Sequence, residues 1–137
     1  MTEQDILEFT VHGPITVGRI LADSVLDALN VDQFGKAMLG YIESHPGVNL
    51  LLDFQQVDYL TSAVLTELLR ARTAATEKGG AVRLCTLNDD IREIFQITSL
   101  EEVFPINEDV ETALTHFERS LKVAEEEAKW GQADGKG

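Results

Sequence analysis

The chain has 137 residues, of which 44% are hydrophobic, and 11 Lys and Arg face 24 Asp and Glu, so the formal net charge is −13 at pH 7. This length and hydrophobic fraction fit one globular domain and exclude an intrinsically disordered chain. The negative charge argues against nucleic-acid binding, which needs a face rich in Lys and Arg. Cys85 is the only cysteine, so an intramolecular disulfide is excluded.

The chain carries no sign of export or membrane insertion. Its first nine residues contain three carboxylates and lack the basic segment and apolar stretch of a signal peptide. No apolar run approaches the roughly 20 residues of a membrane span. We therefore expect a cytoplasmic protein with no membrane-inserted segment.

The first half of the chain predicts two strands, a connection and a helix. Residues 6–11 and 15–20 are rich in β-forming side chains on either side of a Gly-Pro turn. Residues 21–29 carry no clear period and are predicted as a connection. Asn30 then precedes apolar residues at helical spacing, and the helix ends at His45-Pro46-Gly47.

Two apolar runs, at residues 48–54 and 81–87, predict buried strands of a parallel sheet. Between them, residues 55–60 are predicted as a loop. A helix starts at Thr61 or Ser62 and stops at Gly79-Gly80. One helix of crossover length makes the two strands adjacent or nearly adjacent and parallel.

The remaining chain predicts a short helix capped by Asn88, an extended segment at residues 103–106, and a last helix from Asn107 or Asp109. The alternation of strands and helices is typical of a one-domain α/β fold. The end of the chain is polar and rich in glycine. We expect a domain of residues 1–124 and a flexible tail of residues 125–137.

The residue types that carry catalysis or bind metals do not cluster in the sequence. His12, His45 and His116 have no partners at metal-site spacing, and Cys85 lies in an apolar strand, where it packs as a small hydrophobe. Gly79-Gly80 is not followed by the Lys-Ser or Lys-Thr of a phosphate-binding loop. We therefore expect no metal, no cofactor and no enzymatic activity.

Polar side chains do lie together at one edge of the predicted sheet. Asp53 ends a buried strand, and Thr61 and Ser62 open the next helix. Functional groups of open α/β sheets gather outside the carboxyl ends of strands. Thr61 or Ser62 could equally serve as a helix N-cap and nothing more.

The segment 49–65, NLLLDFQQVDYLTSAVL, resembles the central segment of STAS domains, the anti-sigma factor antagonist family. Residues 78–84, residues 94–100 together with 103–106, and residues 109–114 resemble further segments of that family in the same order. The resemblance covers about residues 6–120. It implies an α/β fold with a mixed, mainly parallel β-sheet and helices packed mostly on one face.

The resemblance also implies partner switching. The unphosphorylated domain would bind an anti-sigma factor that is also a serine kinase, and phosphorylation of a serine at the start of the second main helix would break the complex. Ser62 aligns with that serine. The partner-binding residues implied are Asp53, Tyr59, Leu60, Thr61, Ser62, Ala63 and Thr66.

The family's usual motif reads Asp-Ser-Ser-Gly, whereas this chain has Thr61-Ser62-Ala63-Val64. The second hydroxyl makes Thr61 an alternative phosphate acceptor. The change also leaves room for an alternative function, a STAS scaffold or adaptor that is not phosphorylated, in a stressosome-like or lipid-transport complex. The sequence leaves the oligomeric state open.

Overall fold

The structure, a computed structural model, describes residues 6–21, 24–26 and 30–134. The strands are β1 Leu7–His12, β2 Ile15–Ile20, β3 Ser24–Leu26, β4 Asn49–Asp53, β5 Val57–Leu60, β6 Ala81–Cys85 and β7 Ile106–Asn107. The helices are α1 Val31–Ser44, α2 Ser62–Glu77, α3 Asp89–Ile97 and α4 Val110–Asp134, with a 3₁₀ turn at Leu100–Glu102.

Five of these strands form one mixed sheet in the order β1-β2-β4-β6-β7. β1 and β2 are an antiparallel hairpin, in which Gly13 takes a φ of +60°, a conformation that glycine adopts without strain. The pairs β2–β4, β4–β6 and β6–β7 are parallel. The predicted adjacency of the two apolar strands is confirmed, with Leu50 opposite Val82 and Leu52 opposite Leu84.

Apolar side chains cover both faces of the sheet because successive residues of a strand point to opposite sides. Leu50 and Leu52 of β4 belong to the larger core, which α1, α2 and α3 close. Leu51 belongs to a smaller core on the other face, where α4 packs through Ala113 and Phe117. Three helices therefore lie on one face and one on the other, as the predicted fold class requires.

The predicted loop at residues 55–60 is wrong, because Val57–Leu60 is strand β5. The predicted connection at residues 21–29 contains strand β3, which pairs with β5 in a separate parallel two-stranded sheet. Residues 22–23 and 27–29 of that connection lie outside the described residues. In β5 the outer residues, Val57 and Leu60, are buried and the inner two are exposed, so the sequence shows no strand-like alternation.

The end of the chain also differs from the prediction. The segment expected to extend over residues 103–106 follows the 3₁₀ turn Leu100–Glu102, and only its last residue, Ile106, lies in a strand, the short β7. Helix α4 continues to Asp134, so most of the predicted flexible tail is helical. Alanine, glutamate and lysine dominate residues 124–129 and are strong helix formers, which explains why the helix does not stop at the predicted boundary. A division of the chain at residue 124 stays a prediction.

Two glycines provide opposite tests of this packing. A Cβ at Gly80 would overlap the backbone oxygen of Val48, whereas a Cβ at Gly40, inside α1, meets nothing within 4 Å. We expect Gly80→Ala to lower the free energy of unfolding by about 2 kcal/mol through overpacking. We expect Gly40→Ala to raise it by about 1 kcal/mol through helix propensity. Urea unfolding of the two variants measures both, and equal midpoints would contradict this packing.

Candidate functional site

The start of helix α2 is built by the segment that leaves the central strand of the sheet. The chain passes from Asp53 through β5 to Thr61, which occupies the N-cap position with φ −98° and ψ 166°. Ser62 is the first helical residue, and its side chain is exposed. Val64 and Leu68 face the core and are fully buried, so apolar packing sets the rotation of the helix and leaves Ser62 outside.

The N-terminal end of α2 carries uncompensated positive polarity. Its first turn contains no acidic residue, and the Thr61 hydroxyl makes no capping hydrogen bond. Among the hydrogen bonds of the described residues, none satisfies the amides of Ser62 or Ala63. Free amides and the helix dipole together attract anions. The start of α2 can therefore accept an anionic group.

The Thr61 hydroxyl does not contribute to that end of the helix. Its Oγ1 atom is buried and has no hydrogen-bond partner. The position predicted for an N-cap is confirmed, but the side chain does not perform the capping. Thr61 therefore offers its hydroxyl neither to the helix amides nor to solvent.

Asp53 serves the turn that leads out of β4. Its side chain is 5% exposed, and Oδ1 accepts a hydrogen bond from the Gln55 amide at 3.0 Å. No hydrogen bond of the described residues joins it to Thr61 or Ser62. The buried carboxylate holds the connection to β5 in place. It presents almost no surface to a partner.

The predicted partner-binding residues divide into exposed and buried groups. Tyr59 is 55% exposed, and Ser62, Ala63 and Thr66 are also exposed, whereas Leu60 is 2% exposed. Ser62 and Thr66 are four residues apart and Ala63 and Thr66 three, so they lie side by side on the helix. We call Tyr59, Ser62, Ala63 and Thr66 the α2 entry surface. Asp53 and Leu60 are buried and therefore do not belong to it.

Asn88 is a residue whose second role the sequence did not reveal. Its Oδ1 accepts the Ile91 amide at 2.8 Å, the predicted cap of α3. Its Nδ2 also donates to the backbone oxygens of Asp58 at 3.0 Å and of Val57 at 3.4 Å. One side chain therefore ties the start of α3 to β5, the strand that leads into α2.

The other candidate groups do not assemble into a reactive site. Cys85 is fully buried, and this burial, helped by the carboxylates of Asp53 and Asp109, raises the pKa of its thiol to about 11. The thiol is therefore neutral at physiological pH and a poor nucleophile. Within the described residues, no group of three His, Cys, Asp or Glu side chains could hold a metal ion. The helices of residues 30–134 include none long and apolar enough to cross a membrane.

The family model described as STAS domain matches residues 2–113, which include every element from β1 to the first turn of α4. The chain belongs to the STAS domain family. The segment that carried the resemblance, residues 49–65, spans β4, β5 and the start of α2. The α2 entry surface thus lies in the part of the chain that the family model covers.

Relatives of this STAS domain carry the name anti-sigma factor antagonist. The protein BtrV of Bordetella bronchiseptica, named as a candidate anti-sigma factor antagonist, is 26% identical over 97 residues, which cover 71% of this chain and 83% of BtrV. A solved anti-sigma factor antagonist (STAS) domain protein of Planctomyces limnophilus superposes with a TM-score of 0.75 at 23% identity, covering 81% of this chain and 97% of that one.

A further structural relative is SpoIIAA of Bacillus, described as a cell fate determinant and solved in its phosphorylated form. It superposes with a TM-score of 0.59 at 18% identity over 80% of this chain and 97% of that one. Its unphosphorylated form, described as an anti-sigma factor antagonist, gives a TM-score of 0.62 at 16% identity, covering 82% and 97%. At these identities the superpositions establish the shared fold.

Asn88 permits a test of how this STAS domain holds its α2 entry surface. Asn88→Asp keeps an acceptor for the Ile91 amide but removes the donors to β5, whereas Asn88→Ala removes both. Losing the cap costs about 1 kcal/mol, so we expect the Ala variant to be the less stable by that amount. Amide hydrogen exchange should accelerate in β5 in both variants and at the start of α3 only in the Ala variant. Unchanged exchange in β5 in both would contradict the tie between α3 and β5.

Proposed function

We propose that this STAS domain is an anti-sigma factor antagonist that binds an anti-sigma factor with serine kinase activity and is switched off by phosphorylation of Ser62. The observation that carries the proposal is the exposed hydroxyl of Ser62 at the free-amide end of α2. The names of BtrV, of the Planctomyces limnophilus domain and of unphosphorylated SpoIIAA support the antagonist role. The phosphorylated form of SpoIIAA supports phosphate as the switch.

Phosphorylation at this position is compatible with the fold. A phosphate adds about −1.5 to −2 charges at neutral pH, together with three acceptor oxygens. At Ser62 it would meet the unpaired amides of the first turn and the positive end of the helix dipole. A negative charge there stabilises a helix by about 0.3–1 kcal/mol. We therefore expect the phosphorylated domain to remain folded.

Phosphorylation of Ser62 would stabilise the helix but weaken the binding of a partner. Ser62 lies in the middle of the α2 entry surface, between Tyr59 and Thr66. A dianion enclosed in a desolvated interface without a cation costs several kcal/mol, and about 1.4 kcal/mol corresponds to a tenfold loss of affinity. The interface penalty exceeds the gain at the helix terminus. Phosphorylation would therefore release the partner and leave the domain intact.

Ser62 is a better acceptor than Thr61. The Thr61 Oγ1 atom is buried, whereas the Ser62 side chain is exposed. A kinase must bring the hydroxyl in line with the γ-phosphate of ATP, so it needs an accessible oxygen. Phosphorylation of Thr61 would require the start of α2 to open first. This difference assigns the switch to Ser62 in our proposal.

The motif Thr61-Ser62-Ala63-Val64 supports a second candidate function, a scaffold or adaptor that binds its partner without being phosphorylated. The acidic residue of the usual family motif is absent, and Val64 fills the core where that motif has glycine. A scaffold would use the same α2 entry surface, because Tyr59 and its neighbours remain exposed. The two functions differ in whether a kinase modifies Ser62.

Three variants distinguish these functions. Ser62→Asp adds a negative charge at the switch, Ser62→Ala removes the acceptor, and Thr73→Asp adds the same charge on the exposed side of α2 three turns away. We expect Ser62→Asp to bind the purified anti-sigma kinase at least about tenfold more weakly, a loss of about 1.4 kcal/mol. Ser62→Ala and Thr73→Asp should bind as the wild type does. Titration calorimetry measures the affinities, and circular dichroism checks the fold.

Addition of the anti-sigma kinase and ATP to each complex tests whether phosphorylation releases the partner. Wild-type protein should gain one phosphate on Ser62, located by mass spectrometry, and should leave the complex, while Ser62→Ala should stay bound. Release of Ser62→Ala at the wild-type rate would contradict the switch. Binding of the wild type that persists without any phosphorylation would favour the scaffold.

A further inference from the structure

A cavity of about 390 Å³ opens where the outer flank of α4 meets strand β6. It lies on the sheet face covered by α4, whereas the α2 entry surface belongs to the helix layer on the opposite face. Its volume falls in the range of small-molecule sites, about 300–1,000 Å³. The wall consists of Arg83 from β6 and one stripe of α4 that runs from His116 to Glu127.

Arg83 lines this cavity and, among the described residues, has no anionic partner. Its guanidinium lies 5.3 Å from the centre of the Phe117 ring, and Nη1 donates to the Ser120 hydroxyl at 3.0 Å. Its Nε atom is buried without an acceptor. Burial lowers the pKa of Arg83, although a guanidinium keeps its charge at physiological pH. A partly desolvated cation with unused donors favours an incoming anion.

A second guanidinium stands at the rim. Arg119 lines the cavity and is exposed. The ion pairs found in the described part of the chain are Lys36–Asp32 and Arg70–Glu67, so neither Arg83 nor Arg119 belongs to one. Two unpaired arginines therefore share one concave site.

The remaining lining defines which ligand the cavity would hold. Ser120 can donate its hydroxyl proton while it accepts from Arg83, and His116 contributes a further polar group. Val123 and Ala124 provide an apolar wall. Glu127 is the one carboxylate in the lining and opposes an anion. The two fixed positive charges exceed the one negative charge, and the arginines offer the paired donors that match phosphate oxygens.

We propose that this cavity binds a small molecule that carries a phosphate group. The phosphate sits between Arg83 and Arg119 with help from Ser120, and the carbon skeleton of the ligand lies against Val123 and Ala124. The site does not depend on Ser62 or on the partner proposed above. It gives this STAS domain a ligand site on the face away from the α2 entry surface.

Two probes test the proposal by ¹H–¹⁵N spectra of the whole chain at constant ionic strength. Inorganic phosphate reports the anion subsite, and phenyl phosphate reports the subsite together with the apolar wall. We expect saturable shifts in β6 and in α4 between residues 116 and 127. Phenyl phosphate should bind more tightly than inorganic phosphate, and benzyl alcohol, which lacks the anion, should produce no such shifts.

Matched variants on α4 distinguish anion binding at a specific site from attraction to the general charge of the protein. Arg119→Gln removes a rim cation, and Lys122→Gln removes the same charge from an exposed residue outside the cavity lining. We expect Arg119→Gln to weaken phenyl phosphate binding about tenfold, the loss of one charge-assisted hydrogen bond, with Lys122→Gln near the wild type. Glu127→Gln should tighten binding, and Glu126→Gln, beside it but outside the lining, should not.

The proposal is overturned if the wild type shows no saturable shifts with either probe up to the millimolar range. It is also overturned if Arg119→Gln and Lys122→Gln weaken binding equally, because the protein's general charge would then explain the effect. Since Arg119 and Lys122 are exposed, both variants should fold normally, and their spectra without probe verify this.

Discussion

The burial of strand β4 on both of its faces is the constraint on which the other features rest. Leu50 and Leu52 pack under α1 and α2, while Leu51 packs under α4, and all three are fully buried. β4 is also hydrogen-bonded to β2 and β6, so neither of its edges is free. Only one register of β4 relative to its neighbouring strands keeps all three leucines buried. It therefore fixes where Asp53 ends the strand and where the chain turns towards α2.

The α2 entry surface, where we propose that the partner binds, is positioned by this strand but is itself exposed. Three contacts hold the segment between the sheet and the exposed start of α2. They are the hydrogen bond of the Asp53 turn, the pairing of β3 with β5, and the hydrogen bond from Asn88 to β5. The first turn of α2 then combines a core-facing side, Val64 and Leu68, with the exposed Ser62. A charge added to Ser62 acts on a surface and on free amides while the core contacts stay as they are. With this arrangement, the phosphorylation that we propose at Ser62 would change partner binding without changing the fold.

The parts of the fold predictable from sequence are those whose signals are local. Strands β4 and β6 are continuous apolar runs, and α2 is bounded by a cap position and by Gly79. β3 and β5 were not predictable because each is a strand only through pairing with the other, far away in sequence. The helix continues beyond residue 124 because Ala, Glu and Lys have high helix propensity. The segment was predicted as a flexible tail because its residues are mostly polar.

Within the candidate site, position was predictable and side-chain contacts were not. The sequence places Ser62 at the start of α2, but the burial of the Thr61 hydroxyl and of Leu60 depends on how β5 packs. The Nδ2 contacts of Asn88 depend on the same strand. The role of Arg83 in the cavity could not be predicted from the sequence. Its contacts are with Ser120 and Phe117 of α4, and the sequence does not indicate that α4 packs beside this strand.

The most direct test of a local switch at Ser62 is the ¹H–¹⁵N spectrum of the domain carrying phosphate on Ser62, compared with the unmodified domain. We expect large downfield shifts of the Ser62 and Ala63 amides, which gain a phosphate acceptor, with smaller changes limited to residues 59–66. The amides of β4 and β6 should keep their positions. Shifts spread through those central strands, or unmoved amides at Ser62 and Ala63, would contradict a local switch at the free-amide end of α2.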